Sequence, residues 1–381
     1  MFASNPMREQ IVATPGALGS ALPELERAVR GVLSTPEIYR IRRVVLTGSG
    51  DSRFAAKAAE MAFIEHAALP VEVRPPMEAG RYHAQAAARR DLENTLLIAL
   101  SNSGAAARVS EATTLYRAGG AGALAITRAG DSRLAAAAGR ALLLPVPPLP
   151  AGPGFGPYLF QFSALLLLSI RFGEVRMSIT MDQAQSLRRE LTDRVQELGA
   201  VIRISDESCR KAAAKLAEAR LLEFVGAGPS FAIAEYAAAK MLEAVGRHAV
   251  AADLEEWAHL NYFDAAPDEI ATHIVIPSGS RAESRAIELI AYMTKLGRGL
   301  TVVGAGAAAE AARRLGHAVL DVDSNVAESW SPLLLSAPPA LLAAHLAAAT
   351  GAEYGRGAKG RWADAADGST VQKSTQWAGA P

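Results

Sequence analysis

Between residues 41 and 175, short apolar runs alternate with stretches whose apolar residues recur at three and four. The runs RVVLTGS (43–49), VEVRP (71–75), TLLIALS (95–101), GALAITR (122–128) and ALLLPVP (141–147) predict strands. Residues 53–66, 105–118, 131–139 and 156–173 predict helices. Strands that are apolar throughout and separated by helices belong to a parallel sheet covered on both faces. Residues 8–40 carry helical spacing, and 181–220 reads as a pair of long, charged amphipathic helices that connect rather than catalyse. The alternation then returns in LLEFVGAG (221–228), THIVIPSG (272–279), GLTVVGAG (299–306) and HAVLDVDS (317–324). Each half has a first strand ending in glycines (LTGSGDS, VGAGPS) and a later strand ending in Ser and Gly (LSNSG, IPSGS). The expectation is an α/β protein with two similar doubly wound, flavodoxin-like three-layer domains, at 41–175 and 221–350. An N-terminal helical segment (1–40), linker helices (176–220) and a Gly- and charge-rich tail (351–381) complete it. That tail stays loose unless something docks it.

Composition narrows the function classes. Half of the residues are hydrophobic and a fifth are charged, enough for large cores. Lys+Arg and Asp+Glu both number 39, so the chain has no electrostatic footprint for nucleic acid or an anionic membrane. The pairs Arg42-Arg43 and Arg89-Arg90 are short and read as solvated surface. Cys209 is the single cysteine, which excludes an intramolecular disulfide and argues against a thiolate metal site. The start, MFASNPMREQ, has no signal-peptide pattern. The longest apolar segment (155–170) is short for a bilayer span, contains Gln161 and Ser163, and reads as a buried helix. These features predict a cytoplasmic protein with no membrane or nucleic-acid partner.

The chemistry concentrates where strands become helices. In open α/β sheets, ligands bind outside the carboxyl ends of the strands. Ser49, Gly50, Asp51 and Ser52 lie there after the first strand, and Ser101, Asn102, Ser103 and Gly104 after the third. Helix N-termini offer N–H donors, hydroxyls add more, and glycine permits close approach. Two such loops on one edge suit a phosphate or another small oxyanion. Neither is a G-x-G-x-x-G or Walker pattern, which argues against a nucleotide or dinucleotide site. Ser and Asp also cap helices without any ligand.

These residues resemble the SIS (sugar isomerase) family, in the tandem form found in the isomerase half of glutamine–fructose-6-phosphate amidotransferase. GDS (50–52) stands where that form has GTS, and LSNSGAA (100–106) where it has LSQSGET. A K-x-x-E pair is matched by Lys240 and Glu243, and an E-x-x-H segment by Glu256 and His259, with the histidine nineteen residues past the lysine. Lys373-Ser374 matches a C-terminal Lys-Ser. The resemblance implies proton transfer between C1 and C2 of a phosphorylated sugar or amino sugar, with neither metal nor organic cofactor. Glu243 would be the acid/base, near Lys240. His259 would assist ring opening, from a partner subunit in a homodimer with shared sites, and Lys373 would close over the sugar. Ser49, Gly50, Asp51, Ser52, Ser101, Asn102, Ser103, Glu256 and Ser374 would hold phosphate and hydroxyls. Glu243 lies one helical turn past Lys240, so shared-face geometry agrees independently.

The departures shape the expectation. The sequence has no glutaminase domain, so the implied activity is isomerisation or amino-sugar-phosphate deamination, close to relatives that process fructosamine-type phosphates. Ala105 and Ala106 replace an acid and a hydroxyl, Asp51 replaces a threonine, PAGPGFGPYLFQF (150–162) reshapes a loop, and EWAHLNYF lacks a Gly-Pro after the histidine. The alternative is a non-catalytic regulator that binds sugar phosphates.

Overall fold

The structure, a computed structural model, describes residues 5–87, 89–322, 326–366 and 371–378. Among these residues are two five-stranded parallel sheets. The first joins β1 (Arg43–Gly48), β2 (Val71–Arg74), β3 (Thr95–Leu100), β4 (Gly122–Thr127) and β5 (Ala141–Leu143) in the order β2-β1-β3-β4-β5. The second joins β6 (Leu221–Gly226), β7 (Ala249–Asp253), β8 (Ile270–Ile276), β9 (Gly299–Gly304) and β10 (Ala318–Asp321) in the order β7-β6-β8-β9-β10. That is the order of the first sheet, shifted by five. β3 is buried along its whole length, as an apolar central strand covered on both faces must be.

Two compact units contain these sheets. The β1–β5 unit comprises Ala17–Pro148, Gly156–Asp193 and the chain from Gly355 on. The β6–β10 unit comprises the chain up to Gly16, Leu149–Phe155 and Arg194–Tyr354. Flanking helices are α1 (Pro6–Val32), α2 (Thr35–Arg40), α3 (Asp51–Ala67), α4 (Ala107–Ala118), α5 (Arg133–Ala138), α6 (Gly156–Arg176), α7 (Met181–Leu216), α8 (Pro229–Lys240), α9 (Leu254–His259), α10 (Glu283–Lys295), α11 (Gly306–Arg314) and α12 (Ala337–Ala349).

From Gly156 on, the apolar segment at 155–170 lies in α6, whose buried residues continue to Gly173. Its Phe172 meets Phe63 of α3 edge-on at 6.0 Å, and Ser169 Oγ lies 2.9 Å from His66 Nδ1. Each fully buried phenylalanine contributes about 1.5–3 kcal/mol by leaving water. α6 and Glu328–Ala349 are long and apolar enough to cross a membrane, yet 83% of each apolar window is buried inside the protein. In the β6–β10 unit, α1 is tied down by Arg8 to Asp206, which also takes His345 Nε2 at 2.7 Å. Cys209 is buried, its Sγ 3.4 Å from the Pro338 carbonyl, and burial pushes the thiol up.

Two expectations are corrected. The helix pair expected at 181–220 is the single helix α7. Leu191, Val195, Leu198, Ile202, Ser205, Cys209, Ala213 and Leu216 form one buried stripe at three and four spacing that passes Gly199 without interruption. The glycine costs about 1 kcal/mol there, which the stripe outweighs. The stretch AVAAD (249–253), where no strand is expected, is the edge strand β7, only partly buried and, among the described residues, paired to β6 alone. The strand expected at 317–324 is β10. Asp323 and Ser324 lie outside the described residues, as do 367–370 and 379–381 of the tail.

Candidate active site

β1 and β3 are neighbours with Gly48 opposite Leu100, so the two serine loops lie side by side at the carboxyl edge of the first sheet. Gly50 turns the chain into α3 at φ 56°, ψ −131°, a conformation that only glycine adopts easily. Gly228 makes the same turn into α8 at φ 52°, ψ −129°. Ser52 and Ser101 are buried, whereas Ser49 and Ser103 are exposed. The second loop is pinned by its backbone: the Asn102 carbonyl accepts from Arg128 N at 3.1 Å, and the Gly104 carbonyl from Leu134 N at 3.0 Å. Asn102 Oδ1 is buried and has no hydrogen-bond partner. Asp51 opens α3 beside the buried Tyr158, whose phenol is pushed up by burial and, secondarily, by the Asp51 charge. This edge therefore presents hydroxyls and a helix N-terminus together with two acceptor groups, the chemistry of a polyhydroxylated, anionic ligand.

The C-terminal residues 371–378 lie on the same unit. The Val371 carbonyl accepts from Ala107 N at 3.0 Å, and the Gln372 carbonyl from Arg133 Nη1 at 3.0 Å. Arg108 donates to Ser374 Oγ at 3.4 Å and to the Thr375 carbonyl. Gln376 Nε2 donates to the Ala107 carbonyl at 2.9 Å. Lys373 and Ser374 are thus carried on a strap that crosses the start of α4, close in sequence to the serine loop.

In the β6–β10 unit, Lys240 and Glu243 meet as their spacing predicts. Lys240 is fully buried and donates from Nζ to Glu243 Oε2 at 2.5 Å, while the Glu243 side chain is 51% exposed. The Tyr236 ring lies 5.2 Å from Nζ. Glu243 sits in a π-helical turn, Met241–Val245, that ends α8. His259 is not brought to this pair. β7 starts opposite Leu222 and ends opposite Gly226, so the Glu243 turn lies at the amino end of the sheet. α9, with Glu256 and His259, follows β7 at the carboxyl end, and five strand residues separate the ends by about 16 Å. His259 is 65% exposed and its Nε2 lies 3.3 Å from Glu255 Oε1, a carboxylate also held by Arg285. Glu256 N bonds the capping Asp253.

The SIS domain family model matches residues 37–171, the segment that holds both serine loops. That segment, about a third of the chain, is therefore similar to a SIS domain. The chain is 25% identical over 356 residues to the isomerizing glutamine–fructose-6-phosphate aminotransferase of Zymomonas mobilis, covering 91% of this chain and 56% of that protein. The chain spans a little over half the length of the curated relatives it matches. The C-terminal domain of glucosamine-fructose-6-phosphate aminotransferase from Francisella tularensis superposes with TM-score 0.77 at 17% identity, over 91% of this chain and 97% of that one. Tagatose-6-phosphate ketose/aldose isomerase from Escherichia coli gives TM-score 0.71 at 16% identity, covering 91% and 94%. Both sheets therefore share the fold of these two structures.

Two buried acids lie close to the candidate residues without a local sequence motif to mark them. Glu111 of α4 is 2% exposed and gathers Arg81, Arg108 and Trp377 N. Glu223 of β6 is 1% exposed and accepts from Trp257, Thr272, Arg298 and Asn261. Trp257 and Asn261 flank His259, so this network fixes the segment that bears it. The available signal was an acid within an otherwise apolar strand, LLEFVG, and an acid on the apolar stripe of α4.

Proposed function

We propose that this protein moves a proton between C1 and C2 of an open-chain sugar phosphate or amino-sugar phosphate, as an aldose–ketose isomerase or an amino-sugar-phosphate deaminase. The observation that carries the reading is the Lys240–Glu243 pair. A buried ammonium is costly unless a carboxylate compensates it. Here it holds a half-exposed carboxylate in one orientation, as a base working on a carbon acid requires. In this reading Ser49, Ser52, Ser101, Asn102 and Ser103 hold phosphate and hydroxyls, and Asp51 takes a hydroxyl or an amine. Glu243 removes the proton from one carbon and returns it to the other. Lys373 approaches the enediolate oxygen, where a cation stabilises developing charge.

His259 comes from a second copy of the chain. The opposite placement of Glu243 and His259 within one unit supports this. So does the exposed apolar surface beside the histidine, with Leu260 68% and Phe263 74% exposed. The reading is tested by incubation with hexose 6-phosphates and amino-hexose 6-phosphates, following ketose formation and ammonium release. Ammonium identifies a deaminase, and ketose alone an isomerase. The second reading, a sugar-phosphate-binding regulator, is favoured by Ala105 and Ala106 and by the Val371 carbonyl on Ala107 N. It predicts saturable binding of one of these sugars without turnover.

A further inference from the structure

Three features of α4 are unexplained by the proposed chemistry. Its N-terminus has no side-chain cap, because Ala105, Ala106 and Ala107 stand where a hydroxyl or carboxylate would serve. Glu111, one turn in, is almost fully buried although it is charged. Arg81, from the π-helical turn Glu78–His83, and Arg108 both point to that carboxylate, with Arg81 Nε at 2.8 Å. Two arginines around one buried carboxylate exceed what its charge requires.

The strap supplies the missing element. Val371 provides the cap, accepting from Ala107 N. Trp377 N donates to Glu111 Oε2 at 2.5 Å, and the Trp377 ring lies 5.8 Å from the Arg81 guanidinium carbon. Arg108, oriented by Glu111, reaches Ser374 and the Thr375 carbonyl. Every one of these contacts brackets Lys373, between Val371 on one side and Ser374 to Trp377 on the other.

We propose that Glu111 is the latch of the C-terminal strap: through Arg108, Arg81 and the Trp377 amide it fixes the strap across the start of α4 and so positions Lys373 at the serine-loop edge. Glu111 touches no reacting atom in this role. It acts through the strap and is a positioning residue. The part concerning Lys373 rests on the proposed sugar-phosphate chemistry, whereas the latch itself does not. Burial pushes the Glu111 carboxyl up, but Arg81, the Trp377 amide and Arg108 outweigh it and hold the group below the usual carboxylate range. The latch is therefore charged at neutral pH.

The test is amide hydrogen exchange of the full chain, read on residues 371–378 and on β3 and β4. In Glu111→Gln the strap is expected to exchange at least tenfold faster than in wild type, with the strands still protected. Trp377→Pro removes the amide donor from the strap side and cannot disturb the core. It is expected to loosen Ser374–Gln376 to the same degree, with Trp377→Ala, which keeps the amide, loosening them less. Should Glu111→Gln loosen the whole unit, Trp377→Pro decides. A strap that exchanges at the wild-type rate in Trp377→Pro overturns the latch. Where wild type turns over a sugar phosphate, Glu111→Gln lowers kcat toward the Lys373→Ala value with KM little changed. The double variant is then no slower than Lys373→Ala alone, and additive losses overturn the positioning role. Absence of turnover with every sugar phosphate sinks the proposed function and leaves the exchange result to judge the latch.

Discussion

Replacing Arg298 by Met should cost about 3–5 kcal/mol, the range for stripping one partner from a buried ion pair. The Arg298 and Glu223 side chains are 0% and 1% exposed, and Arg298 Nη1 lies 2.9 Å from Glu223 Oε2. Arg298 also lies over the Trp257 ring at 5.0 Å and donates to the Asn261 carbonyl. Removing it leaves a buried carboxylate served by three neutral donors: Trp257 Nε1 at 2.9 Å, Thr272 Oγ1 at 2.7 Å and Asn261 Nδ2 at 2.6 Å. Glu223→Met leaves the opposite charge and also orphans those donors, each worth about 1–3 kcal/mol when buried without an acceptor. The double variant carries no buried charge but keeps the orphaned donors. Its loss should fall short of the sum of the single losses by at least about 2 kcal/mol. Urea unfolding followed by tryptophan emission measures all three. For a unit of this size the Arg298→Met loss corresponds to a drop in Tm of roughly 6–20 °C. A cost below about 1 kcal/mol for Arg298→Met, or a cycle additive within about 0.5 kcal/mol, would mean that the Arg298–Glu223 pair is not a coupled buried ion pair.

Gly104 has φ +66°, and a Cβ there would come within 2.0 Å of Ser132 Oγ. Gly104→Ala should therefore destabilise by about 2–4 kcal/mol, the left-handed backbone and the overlap together, and Ser132→Gly should recover part of it in thermal melts. His273 is fully buried against Phe224, and burial lowers its pKa to about 4. The unfolded chain binds this proton more tightly, so stability falls as pH drops from 6.5 toward 4, by about 3 kcal/mol in all. His273→Leu should flatten that slope relative to wild type in unfolding curves taken between pH 7 and 4, and an unchanged slope counts against the assignment. Phe263→Glu should leave stability within about 0.5 kcal/mol, because the ring is largely exposed. It should nevertheless turn the proposed dimer into a monomer in sedimentation equilibrium, and a dimer unaltered by the substitution would place the interface elsewhere.

Particular elements show why the sequence disclosed some of this and hid the rest. β1, β3 and β8 are buried along nearly all of their length and rich in Val, Ile and Leu, so composition marks them, and the loops that follow inherit their place at the carboxyl edge. β7 is an edge strand with little burial, and its Ala-rich sequence carries no period that distinguishes it from the neighbouring helix. Lys240 and Glu243 were legible because a three-residue spacing is a local property of helices. The opposite placement of Glu243 and His259 was not, because it depends on the register of a strand that the pattern did not reveal. The strap contacts join residues about 270 positions apart, such as Arg108 and Thr375, and no local periodicity encodes them. In one dimension Glu111 reads as an ordinary helical acid beside Arg108. Only the arrival of Arg81 and Trp377 shows why it can be buried.

In the proposed reaction Glu243 abstracts a carbon-bound proton from a sugar phosphate. Proton NMR in deuterated buffer tests it most directly, with fructose 6-phosphate and glucosamine 6-phosphate, wild type beside Glu243→Gln. Deuterium is expected at C1 or C2 with wild type, at a rate at least about a hundredfold lower with Glu243→Gln, the scale of a lost general base. Exchange at equal rates in both proteins, or saturable binding of either sugar with no exchange in wild type, would contradict it.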